Sequence, residues 1–66
     1  MVLERPMPEF GVKIVCDTEI LRVLDEHGNV VEERLVEART YMEIAGEVNK
    51  AEEDLIRSAS AMEGGE

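Results

Sequence analysis

Residues 40–62 carry the sharpest apolar periodicity in the chain. At 100° per residue, Tyr41, Ile44, Ala45, Val48, Ala51, Leu55, Ile56, Ala59 and Met62 fall within roughly 140° of arc, the width of a helix face that packs on a core. Thr40 followed by Glu43 forms a capping box, in which the threonine hydroxyl accepts from the Glu43 backbone N–H and the glutamate reaches back. Gly64 and Gly65 supply the stop. Two residues sit oddly in this helix. Gly46 costs about 1 kcal/mol relative to alanine, which marks either tolerance or the close approach of another backbone. Glu52 lies within the apolar stripe, where a carboxylate must reach solvent or find a cation.

Residues 12–24 are dense in Val, Ile and Leu, and if extended they place Val12, Ile14, Cys16, Thr18, Ile20 and Leu24 on one face. Arg22 interrupts that face and is the natural candidate for a cross-subunit pair with Glu52. Asp25-Glu26-His27-Gly28-Asn29 then reads as a short hairpin loop, with Gly28 taking the positive φ that closes it. Residues 30–39 return as a second strand. A rival reading caps a helix at Asp17, stops it at Gly28 and opens another at Asn29. The β-branched density of residues 12–15 and the Gly-Asn loop favour the hairpin. The expected fold is therefore α+β, a β-hairpin followed by one C-terminal amphipathic helix (β-β-α), with an all-α helical hairpin as the alternative.

Residues 1–11, with Pro6, Pro8 and Gly11, read as an extended N-terminal arm whose Met1, Val2, Leu3, Met7 and Phe10 equip it to pack on the domain or a neighbouring subunit. Residues 12–63 form the single domain, and residues 64–66 a flexible tail. The ending Gly64-Gly65-Glu66 resembles the terminus of the prokaryotic ubiquitin-like tags of actinobacteria over those three residues. Such tags are largely disordered and poor in Val and Ile, whereas this chain is 44% hydrophobic and patterned to fold, so a frayed helix end is the expected account.

Sixty-six residues bury only about 60% of the surface an unfolded chain exposes, a thin margin over conformational entropy. Disulfides cannot widen it, because Cys16 is the sole cysteine; an unpaired thiol with no apolar signal segment points to a reducing, cytoplasmic setting. Cover from a second polypeptide is the expected remedy, as a homodimer or as a subunit of a larger complex. Pairing two hairpins would build a four-stranded sheet. No apolar run approaches the roughly 18 residues that span a bilayer, so no membrane role is expected. The net charge of -9, with no basic patch, argues against nucleic acid. The absence of Gln and the wealth of Glu, Arg and Val fit a heat-adapted source.

Candidate chemistry is sparse. Cys16, Asp17 and His27 supply the residue types of a thiol nucleophile with a base and an orienting carboxylate, but the hairpin keeps Cys16 and the loop histidine apart. Asp25, Glu26 and Asn29 lack the spacing of a calcium loop, and one cysteine with one histidine makes no zinc pattern. No catalytic residue, cofactor site or metal site is expected. The leading expectation is a small acidic intracellular protein–protein interaction module, an accessory subunit or a regulatory protein. Its interface candidates are Tyr41, Ile44, Val48, Glu52, Leu55, Ala59, Met62 and Arg22. The alternative is a small-molecule or enzymatic role at an oligomer interface around Cys16 and Glu52.

Overall fold

Asp17 divides the apolar run of residues 12–24 in two. Its Oδ1 accepts from the backbone N–H groups of Glu19 and Ile20, each at 2.8 Å, while its own N–H donates to the Ile20 carbonyl at 3.0 Å. One short side chain thus satisfies two amides and reverses the chain. The computed structural model describes the backbone of residues 1–64 and the side chains of residues 1–59. It runs as β1 (Leu3–Met7), a 3₁₀ turn (Pro8–Phe10), β2 (Val12–Cys16), β3 (Ile20–Asp25), β4 (Val30–Leu35) and α1 (Tyr41–Gly64).

The strands form one antiparallel sheet in the order β1-β2-β3-β4, each paired with its sequence neighbour. The α+β architecture with a C-terminal helix is present and the all-α alternative is not. Three details differ from the sequence reading. The strand expected over residues 12–24 is two strands, for the reason just given. The arm is extended, yet residues 3–7 of it are the first strand of the sheet: Pro6 is tolerated because an edge strand does not need every N–H. The second strand ends at Leu35, and residues 36–40 cross to the helix, held by Val36 N–H to the Glu19 carbonyl at 2.9 Å and Ala38 N–H to the Thr18 carbonyl at 3.1 Å. A four-stranded sheet therefore needs one chain, not two.

The other turns are as local chemistry dictates. Asp25 Oδ1 accepts from the N–H groups of His27 and Asn29, and Gly28 takes φ 84° to close the β3–β4 hairpin. Gly11, at φ 68°, ends the 3₁₀ turn and returns the chain into β2. At the helix start, Glu43 N–H donates to Thr40 Oγ1 at 3.1 Å and Glu43 Oε1 accepts from the N–H groups of Arg39 and Thr40, completing the capping box.

One face of the sheet lies under α1. Its cross-strand rows read Leu3, Cys16, Leu21, Arg34 and then Arg5, Ile14, Val23, Glu32. Ile44, Val48 and Ala51 from the helix cover the apolar middle of both rows, and Ala38 closes one end. Burying a side chain such as Ile44 or Val48 contributes about 1.5–3 kcal/mol. The polar ends of the rows flank the helix on both sides: Arg5 donates to Glu52 at 2.9 Å and to Asn49 at 3.3 Å, while Arg34 pairs with Glu32 and with Asp54 at 3.3 Å. The 24-residue helix is about 36 Å long, twice the length of the strands it covers. Leu55 is the last described side chain that packs on the core. The overhang shows in a radius of gyration of 12.2 Å, against about 10.8 Å for a compact chain of this length.

Candidate interaction surface

Among the described residues, no helix covers the opposite face of the sheet. Its rows follow from the same register: Glu4, Val15, Arg22, Glu33 across the middle; Pro6, Lys13, Leu24, Val30 toward the β3–β4 hairpin; Ile20 beside Leu35 at the other end. Val15, Ile20 and Leu24 are half-buried by their neighbours, while Val30 and Leu35 are exposed. The four charges in these rows cancel in pairs, with Arg22 Nε 2.7 Å from Glu33 Oε2 and Lys13 Nζ 3.4 Å from Glu4 Oε1. A protein of net charge -9 thus presents one surface that is close to neutral. Surface pairs of this kind contribute about 0–1 kcal/mol each to stability. Their larger effect is to remove the like-charge barrier to approach. At the hairpin end, Pro6, Pro8, Gly11, Val12, Lys13 and Glu26 line a shallow cleft of about 300 Å³.

The residues singled out from the sequence are divided by the fold. Ile44 and Val48 are fully buried against the chain's own sheet, and Leu55 packs at the edge of that core. Tyr41 stands exposed at the helix start, and Ala59 is half-buried outside the core cluster. Met62, Gly65 and Glu66 lie outside the described residues, Met62 in its side chain. Glu52 and Arg22 are on opposite faces of the sheet, and each has a partner within its own chain, Arg5 and Glu33 respectively. Leu24, Val30, Val31 and Leu35 were not among the sequence candidates. The reversal at Asp17 shifts the inward positions from Ile14 and Cys16 to Leu21 and Val23, which turns Leu24 to the bare face.

Cys16 is fully buried beneath α1, and its Sγ donates to the Asp17 carbonyl at 3.3 Å. Burial raises its pKa above the ordinary thiol value, and the carboxylates of Asp17 and Glu47 push the same way, so the thiolate is disfavoured. His27 occupies the turn at the far end of the sheet, since Cys16 pairs with Leu21 whereas Val12 pairs with Asp25. The strand length alone separates them by roughly 13 Å or more. The Asp25 carboxylate is held below its ordinary pKa by the Asn29 N–H above all, with help from His27, which is turn chemistry. Among the described residues, no three His, Cys, Asp or Glu side chains converge as a metal site. No helix among them is long and apolar enough to cross a membrane. The chain matches no known protein-family model, no curated protein and no solved structure.

Proposed function

We propose that this protein is an interaction module, an accessory or regulatory subunit that presents the uncovered sheet face to a protein partner. The observation that carries the reading is the contrast between the two faces. One is sealed by the helix; the other keeps Val15, Ile20, Leu24, Val30 and Leu35 accessible around charges that neutralise one another. Apolar side chains set around charges that already neutralise one another leave little net charge to desolvate, which favours burial against a protein. The net charge adds selectivity, since an acidic field steers basic partners toward the molecule and repels acidic ones.

The test is affinity capture from the native host with a tagged chain, comparing the parent with Leu24→Lys and with Glu53→Lys on the exposed side of α1. A partner retained by the parent and by Glu53→Lys but lost with Leu24→Lys, in a variant whose circular dichroism is unchanged, is the expected outcome. Equal capture by all three proteins would refute the assignment of the sheet face.

A further inference from the structure

We infer that β4 pairs with β4 of a second copy of this chain, joining two sheets into one of eight strands across a two-fold axis at Glu33. The inference deepens the interaction reading by naming one partner, a second copy, and one edge.

The main chain sets the geometry. Val36 N–H points to β3, where it donates to the Glu19 carbonyl at 2.9 Å. Main-chain groups alternate sides along a strand, so those of Arg34 and Glu32 also face β3, and those of Glu33 and Leu35 face outward. The irregularity between Val23 and Leu24 leaves Val31 without a partner in β3. The other edge is poorly suited to pairing, because Pro6 in the middle of β1 has no N–H to offer.

The side chains choose the partner. Antiparallel self-pairing centred on Glu33 sets Glu32 opposite Arg34 of the second copy, and Arg34 opposite its Glu32, so the ion pair each copy already holds within itself is joined across the axis into one network of four charges on the helix-covered side. The same register brings Leu35, 83% exposed, against Val31, 56% exposed, on both sides of the axis. Residues opposed in this way lie on the same face of the joined sheet, as pairing requires. The cost is Glu33 facing its own copy at the axis, and Arg22, 2.7 Å from each Glu33 carboxylate, offsets that repulsion. A strand of six residues buries a modest area and the net charge of -9 on each copy opposes approach, so the dimer is a concentration-dependent one that added salt strengthens, not an obligate one. Pairing at the edge leaves the bare face open and doubles its extent.

Cysteine scanning tests the register. In the full chain, Glu33→Cys places two thiols about 5.5 Å apart at Cα across the axis, within disulfide reach, whereas Val31→Cys leaves its two copies more than about 13 Å apart. Fully buried Cys16 stays out of the reaction. With oxidised glutathione as oxidant, the expected result is rapid dimeric cross-linking for Glu33→Cys, little for Val31→Cys or Leu35→Cys alone, and restored cross-linking when those two are mixed. Light scattering supplies the second arm. The parent should dimerise with rising concentration, Glu33→Pro should weaken dimerisation at least tenfold by removing an outward N–H, and Glu33→Thr should strengthen it by removing the like-charge pair. A parent that stays monomeric at millimolar concentration, or cross-linking that is no faster at residue 33 than at residue 31, overturns the inference. Either result leaves the sheet-face reading standing, because that reading fails only if Leu24→Lys keeps the captured partner.

Discussion

Gly46→Ala should stabilise the protein. The position lies roughly 160–200° around α1 from Val48 and Ile44, on the side turned away from the sheet. A Cβ built there meets nothing within 4 Å, so the substitution adds no clash. What remains is the backbone entropy that glycine loses in a helix interior, about 1 kcal/mol relative to alanine. For 66 residues the unfolding entropy is on the order of 140 cal/mol/K, so the gain corresponds to an increase in Tm of about 7 °C. Thermal melts followed at 222 nm, at low and high protein concentration, read it directly. A fall in Tm would refute the reasoning, because it would mean that another backbone approaches Gly46 in solution. A gain at low concentration that vanishes at high concentration would place that approach in an oligomer.

Three further outcomes follow from the turns and the core. Gly11→Ala should destabilise by about 1–2 kcal/mol, since φ is positive there. The new Cβ would lie 3.0 Å from Glu26 Oε2, but that carboxylate is the end of an exposed, flexible side chain and can swing aside, so Gly11→Ala and Gly28→Ala, whose Cβ meets nothing within 4 Å, should cost similar amounts in urea denaturation; a markedly larger cost at Gly11 would show that the Glu26 side chain is held in place. The Asp17 carboxyl is held below its ordinary pKa of 3.8, first by the Glu19 N–H and then by that of Ile20. Its contribution is therefore complete above the unfolded value and is lost as the pH falls through the folded one. Amide exchange at Glu19 and Ile20, measured by NMR from pH 5 down to 2 and corrected for intrinsic rates, should lose protection in this range, and Asp17→Asn should flatten the profile. Cys16 should react with a bulky disulfide reagent at neutral pH only when the protein unfolds, and a fast native-state reaction would show that α1 lifts from the sheet.

How much of this was legible in the sequence depended on how local each feature is. The capping box at Thr40 and Glu43 and the turn at Gly28 could be read because each needs only residues within one turn of chain, and both are present. The helix periodicity identified Ile44, Val48 and Leu55 as an apolar stripe, but not whether their cover came from the same chain or another. The break at Asp17 was hidden, since one aspartate amid β-branched residues can continue a strand or reverse it, and only tertiary pairing of Cys16 with Leu21 decides. That one reversal moved Ile20, Arg22 and Leu24 to the bare face, which is why Arg22 looked like an intruder in the core. β1 was concealed by Pro6 and Pro8, whose usual effect is to break structure.

The helix that seals the core follows every strand in chain order, and this has a consequence during synthesis. Hairpins form within microseconds, so the meander can assemble as soon as Leu35 has left the ribosome. Its apolar face, with Leu3, Ile14, Leu21 and Val23, then waits for residues 44–55 to emerge, about one to four seconds at ordinary elongation rates. For that interval the nascent chain is a sticky half-sheet in a crowded cell, and a chaperone or a neighbouring nascent copy can reach it before its own lid does.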